Sequence, residues 1–335
     1  MSICYLGPTD AISPFGTGGA ENLIRRRKEK RGSEKYYFLT DDLEFRLILP
    51  DGTFKKSHSS TLRFLIFLYQ YRNIVTFSPV ALSYRLRMLL NIFHFLGIVK
   101  IERIIFNYPG NSWKLKLYIT EALLFSNKIY YLSSRQYRFL NRTRRFLPFL
   151  SCKAFVKEQI NLPSSFCCKY AEKKGFVVSF IGRLDGNKGI EEVLEIAELL
   201  KEQKNITMNI CYLSNYRGLT ESFVSRLDQF NQYENLNIIP SMKHENEIFK
   251  NEEKVCDLLK ATHVFLQPYK VLSSAIEAPL LLYEAQKAGC VIFTRDVDGI
   301  HEHLIGQFEF FSGDASQYAK SAVDLIKKLR RDQLD

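Results

Sequence analysis

Residues Val177 to Lys201, VVSFIGRLDGNKGIEEVLEIAELLK, read as a strand, a glycine-rich turn and a helix. Val177, Val178, Phe180 and Ile181 form the continuous apolar run that a parallel strand buried on both faces requires. Ile190, Val193, Leu194, Ala197 and Leu200 then recur at helical spacing, with Glu191, Glu192, Glu195 and Glu198 expected on the opposite, solvated side. Between them, Gly182 to Gly189 carries one arginine, Arg183, and one lysine, Lys188. Turns of this kind leave the carboxyl ends of parallel strands, where the free N–H groups of the next helix favour an anion. Glycines that admit a close backbone and two cations suit a diphosphate. On this stretch alone, Arg183 and Lys188 read equally well as solvated loop residues. The GxxxxGK[ST] spacing of a P-loop is absent.

The remainder of the chain repeats the alternation. Ile3–Leu6 is a short strand, followed by the loop Phe15-Gly16-Thr17-Gly18-Gly19-Ala20-Glu21-Asn22 and a basic helix through Arg25, Arg26, Arg27 and Lys28. The dinucleotide fingerprint fails there, because the third glycine position holds Glu21. Strands are expected at 35–40, 73–78, 102–108, 128–132, 206–213, 236–239, 263–266 and 290–294. Helices are expected at 60–70, 80–95, 112–125, 220–230, 252–261 and 314–329. Leu43, Phe45, Leu47 and Leu49 alternate up to the turn Pro50-Asp51-Gly52. Strand and helix alternating through short connections argue for doubly wound parallel sheets. A chain of 335 residues accommodates two such domains. Pro148, Pro163 and Ser164-Ser165 break the pattern between them, giving expected domains of 1–165 and 166–335.

Composition narrows the class. Hydrophobic and charged shares of 46% and 25% are globular values. The longest apolar region, from Leu62 to Ile105, is interrupted by arginines and lysines, and neither a membrane span nor a secretory signal is expected. Seven cysteines, with no CxxC pair, read as small buried residues or free thiols, and the chain is expected to be cytoplasmic. Charge is unequally shared: residues 1–165 carry +15 and residues 166–335 carry −4. The basic segments 22–31 and 135–146, the second interleaved with aromatic rings, suit an anionic bilayer or a nucleic-acid backbone, or are solvated helix faces. No RNP, KH or helix-turn-helix signature supports nucleic acid.

The turn at 182–189 resembles the G-R-L-x-x-x-K-G turn of GT-B glycosyltransferases, especially family 4 (glycosyl transferases group 1). The loop at Gly18 and Gly19 resembles the G-G-A-E turn of that family. Glu277-Ala278-Pro279-Leu280-Leu281-Leu282-Tyr283-Glu284 with Ala285, Ala288 and Gly289 resembles its E-x7-E segment, one residue short, since the strict first position holds Ile276. Asp298-Gly299-Ile300-His301-Glu302 resembles its G-G-[IV]-x-E segment. The resemblance implies two Rossmann-like domains facing a cleft, with a nucleotide-sugar donor held by the second. It implies that Arg183 and Lys188 contact the donor diphosphate, that Glu284 binds the ribose and that Glu277 binds the sugar. Gly182, Leu280, Leu281, Gly18 and Gly19 would line the donor site. The strand-end histidine of the family is replaced by Phe106-Asn107-Tyr108, leaving Asn107 or Tyr108 to make the polar contact; His58 and His94 read as ordinary helix residues. Transfer would retain configuration and need no metal or cofactor. The acceptor would be a saccharide or lipid-linked saccharide, on the basic first half. The alternative is a glycosyltransferase-like binding subunit without catalysis.

Overall fold

The computed structural model describes residues 3–7, 23, 26–27, 35–39, 45–48, 54–57, 65–66, 68–69, 71–78, 84–146, 154–160, 162–166, 175–182, 184, 186–213, 221–241, 248–272, 279–311, 313 and 317–332. It forms two compact units, the first ending at Asn161 and the second beginning at Leu162.

The second unit is a six-stranded, wholly parallel sheet. Its strands are β9 (Phe176–Gly182), β10 (Ile206–Leu213), β11 (Leu236–Ser241), β12 (Val264–Gln267), β13 (Val291–Arg295) and β14 (Phe308–Phe311). They lie in the order β11-β10-β9-β12-β13-β14. Chain order therefore reverses between β9 and β12, the place where doubly wound sheets bind ligands. Phe176 to Ile181 are buried on both faces, as their continuous apolar run requires. The helix Ile190–Leu200 packs Ile190, Val193, Leu194, Ile196, Ala197 and Leu200 into the core beside Phe180, Met208 and Ile210. The closing helix Tyr318–Arg331 adds Tyr318, Ala319, Ala322 and Ile326 to the same core.

The first unit holds an eight-stranded sheet of β1 (Ile3–Gly7), β2 (Lys35–Leu39), β3 (Phe45–Ile48), β4 (Phe54–Ser57), β5 (Asn73–Ser78), β6 (Lys100–Ile105), β7 (Lys128–Tyr131) and β8 (Ala154–Lys157). The order is β4-β3-β2-β1-β5-β6-β7-β8. β1, β2, β5, β6, β7 and β8 pair in parallel, whereas β3 runs antiparallel to both of its neighbours, β2 and β4. A connection as short as the one through Pro50-Asp51-Gly52 cannot return a chain to a parallel register. Between β5 and β8 the strands alternate with the helices α1 (Tyr84–Phe95), α2 (Trp113–Leu124) and α3 (Ser134–Phe146). The strand expected at 102–108 spans Lys100–Ile105, so Phe106 to Gly110 leave the sheet at its carboxyl end.

One expectation about the basic segments changes. Arg26 and Arg27 are buried rather than facing a surface. Arg27 pairs with Glu158 and stacks on the Tyr130 ring at 4.1 Å. In α3, Gln136 and Leu140 are buried, whereas Arg138, Arg142, Arg144 and Arg145 are exposed. His94 is an interior helix residue whose Nδ1 lies 3.2 Å from the Val99 carbonyl, and burial lowers its pKa.

Inside this unit, the β6 side chain Arg103 is fully buried and holds α1 and α2 to the sheet. It donates to Asn91 Oδ1 at 2.7 Å and to Glu121 Oε1 at 3.2 Å. Arg87 reaches the other oxygen of Glu121 at 3.0 Å. Burial pulls the Arg103 pKa down, opposed by Glu121. Removing one member of a buried ion pair strands the other, at a cost of about 3 kcal/mol. Arg103→Ala is therefore expected to lower the unfolding free energy of the first unit by that amount, read as a lower urea midpoint. An unchanged midpoint would show that Arg87 alone satisfies Glu121.

Candidate functional site

The site is built at the carboxyl edge of the second sheet, around the turn that follows β9. Gly182 is the last residue of that strand, and Gly186–Lys188 form a single 3-10 turn. Gly189 then starts the helix Ile190–Leu200 at φ 74°, a left-handed conformation that favours glycine. A Cβ at this position would sit 2.6 Å from Pro268 Cβ and on the Pro268 carbonyl oxygen. The turn is thus pressed directly against the chain leaving β12. The Lys270 N–H donates to the Asn187 carbonyl at 3.0 Å and fixes that approach.

Lys188 is 5% exposed, which is unusual for a lysine. Its ammonium lies 3.6 Å from the centroid of the Tyr269 ring, so the aromatic face replaces part of the lost water. Beside it, Glu192 is buried as well, not solvated as its place in the helix pattern suggested. Arg295, at the end of β13, donates to Glu192 Oε1 at 2.8 Å, and Lys270 approaches the same oxygen at 3.4 Å. Lys270 also pairs with Glu191 at 3.0 Å; partial burial opposes its charge, but these two carboxylates hold its pKa above the ordinary lysine value. The chain ends after β9, β12 and β13 are thereby tied by one network of two carboxylates and two cations.

Gln267, the last residue of β12, is 1% exposed, and neither its amide oxygen nor its amide nitrogen has a hydrogen-bond partner among the described residues. Its backbone carbonyl accepts from Thr294 Oγ1 at 3.0 Å. Lys188, Tyr269 and Gln267 therefore concentrate one cation, one ring and one unsatisfied amide beside the switch point of the sheet.

Glu284 lies in the helix Leu280–Lys287, which Pro279 caps, and is buried. Leu280 is buried and Leu281 half-buried in its first turn. This helix is the crossover from β12 to β13, so its amino end belongs to the same carboxyl edge as Lys188. Gly299 has φ 88° and Ile300 is fully buried, with Glu302 in the short helical turn that follows. Tyr283 contacts His303 Nδ1 at 2.6 Å; burial, with Glu302 nearby, raises the tyrosine pKa strongly.

The structure thus brings Gly182, Lys188, Leu280, Leu281 and Glu284 to one unit and one end of its sheet. Asn107 belongs to the first unit, half-buried in the loop after β6, where Arg135 stacks on the neighbouring Tyr108 ring at 4.7 Å. Arg183, Glu277, Gly18, Gly19 and His58 lie outside the described residues. Sequence reasoning missed Tyr269, Gln267, Arg295 and Lys270. Only the Gln267-Pro268 strand end hinted at them, since a proline there marks where the chain leaves the sheet.

Residues 169–334 match the model of the family described as glycosyl transferases group 1. No curated protein sequence matches the chain. Among solved structures it is similar to HepE from Anabaena in complex with UDP-glucose, at a TM-score of 0.62 and 11% identity, over 100% of this chain and 91% of that one. It is similar to the catalytic domain of starch synthase IV from Arabidopsis thaliana bound to ADP and acarbose, at a TM-score of 0.61 and 10% identity, over 98% and 92%. It is also similar to the pneumococcal O-GlcNAc transferase GtfA in complex with UDP and GlcNAc, at 0.57 and 13%, over 89% and 63%. At these identities the likeness is one of fold, the two-sheet GT-B architecture.

Proposed function

Because residues 169–334 make this chain a member of the glycosyl transferases group 1 family, we propose that it moves a sugar from a nucleotide-sugar donor held by its second unit to a saccharide or lipid-linked saccharide acceptor. The observation that carries the donor reading is the buried Lys188 ammonium in the turn that starts the helix Ile190–Leu200. A fixed cation and the unpaired N–H groups of a helix start both stabilise negative charge developing on a departing diphosphate. That stabilisation needs no reorganisation when the bond breaks, and it needs no metal. Arg183 supplies the second cation. Glu284 accepts hydrogen bonds from the ribose hydroxyls, a task suited to a carboxylate because it can take two vicinal donors. Glu277 takes the equivalent place at the sugar, and Asn107 makes the polar contact that a histidine makes in related enzymes. Gly182, Gly18 and Gly19 admit the donor closely, with Leu280 and Leu281 at the first turn of the ribose-binding helix. The transfer retains configuration, with a donor phosphate oxygen taking the acceptor proton. The basic first unit directs the enzyme to the cytoplasmic face of a membrane, as a peripheral protein.

The reading is tested by melting the protein in the presence of UDP-, GDP-, ADP- and CMP-sugars. A true donor at 100 times its Kd adds about 2.7 kcal/mol to folded stability. One nucleotide class is expected to raise the Tm by several degrees and the others not; no shift with any of the four contradicts the reading.

A further inference from the structure

In an ordinary surface helix the apolar stripe faces the core. Helices α1 and α2 of the first unit each place apolar side chains on the opposite face. In α1, Tyr84, Met88, Ile92 and Phe95 recur at helical spacing and are all exposed, Phe95 to 82%. The same helix buries Leu90, Asn91 and His94 beneath. In α2, Trp113 and Leu117 are exposed, Trp113 to 65%, while Ile119, Ala122 and Leu123 are buried. The two helices lie side by side: Asn91 donates to Glu121 at 2.9 Å, and Arg87 both pairs with Glu121 and stacks on Tyr118 at 4.8 Å. The two stripes accordingly belong to neighbouring helices of one face. Large exposed apolar side chains on two neighbouring helices mark an interaction site.

Charge selects the occupant. From residue 84 to 124, the stretch that holds α1 and α2, the chain has six Lys and Arg against two Glu. Both glutamates already hold cations: Glu121 holds Arg87 and Arg103, and Glu102 lies near Lys128. Lys114 and Lys116 flank Trp113 on its own helix and are exposed. Apolar and aromatic side chains beside exposed lysines fit a bilayer surface of anionic lipid, with rings at the headgroup level. Among the described residues no helix is long and apolar enough to cross a membrane.

We propose that the outer face of α1 and α2 is the surface by which this protein lies on an anionic lipid bilayer, a docking that rests on the reading of a membrane-borne acceptor. The face is distinct from the basic segments at 22–31 and 135–146. Trp113 is the only tryptophan of the chain, so its emission reports docking directly. The full chain is mixed at low salt with vesicles of phosphatidylglycerol and phosphatidylcholine, or of phosphatidylcholine alone. A blue shift, with quenching by brominated acyl chains, is expected on the anionic vesicles only. Ile92→Glu with Leu117→Glu is expected to weaken partitioning at least tenfold, and Lys114→Glu with Lys116→Glu to do the same, while circular dichroism and nucleotide-induced thermal shifts stay unchanged. An unshifted emission overturns the proposal, as does an equal shift on neutral vesicles. A shift that follows protein concentration without lipid overturns it in favour of a second copy. Donor turnover without docking overturns this surface alone, whereas docking without any nucleotide-sugar binding overturns the transferase reading alone.

Discussion

Replacing Arg183 and Lys188 together by alanine is expected to abolish donor turnover while leaving the second unit folded. The reason lies in what the leaving group becomes. Breaking the bond to the sugar puts charge on a diphosphate, and the groups that gain most from that charge are cations already fixed in place. Lys188 is fixed by the Tyr269 ring beneath its ammonium and by burial, which removes competing water. Lys188→Met retains the aliphatic stem and the packing but removes the charge. It is expected to lower kcat by about 10²–10³-fold, the loss typical of one preorganised donor, with a thermal midpoint near wild type. A Lys188→Met enzyme with wild-type kcat would show that the charge is structural.

The second large effect is predicted at Gly189. Any side chain there faces two penalties at once. The left-handed backbone costs a substituted residue about 1–3 kcal/mol, and a Cβ would meet Pro268 well inside van der Waals contact. To relieve that clash, the turn after β9 must separate from the chain after β12, which breaks the bond from Lys270 to Asn187 and lifts Lys188 off Tyr269. Gly189→Val is expected to lower folded stability by about 3 kcal/mol and to remove nucleotide stabilisation of the fold. Gly186→Ala is the control, since a Cβ there meets nothing within 4 Å. Equal melting temperatures for the two variants would refute the close approach.

How far the sequence led can be judged from single residues. The strand, turn and helix at 177–201 were legible because an apolar run of period one, three glycines and a helical repeat follow one another without interruption. Glu192 was misplaced for an equally physical reason. Periodicity assigns a carboxylate next to the apolar stripe to solvent, and only the tertiary arrangement of Arg295 and Lys270 makes burying it favourable. Arg27 failed in the same way, since nothing in a basic run announces Glu158, more than 130 positions away, as a buried partner. Tyr269 was invisible because a ring two residues beyond a strand has no signature of its own. Helix α1 shows a different limit: nearly every position in YRLRMLLNIFHF is apolar or basic, and such a pattern does not state which face the core receives. For the candidate site, Gly182, Lys188 and Glu284 were found through a family resemblance and now have a place in the fold. The residues that hold Lys188 in position came only from the structure.

The central claim is that the turn from Gly186 to Gly189 holds a diphosphate. It is tested most directly by calorimetric titration of wild type and Lys188→Met with the nucleoside diphosphate whose sugar stabilises the fold, and with the bare nucleoside. Wild type is expected to prefer the diphosphate by at least about 100-fold, equivalent to two charge-assisted contacts of 1.5–3 kcal/mol each less their desolvation. Lys188→Met is expected to lose at least tenfold of that preference without changing nucleoside affinity. A preference that survives the substitution intact would contradict the account.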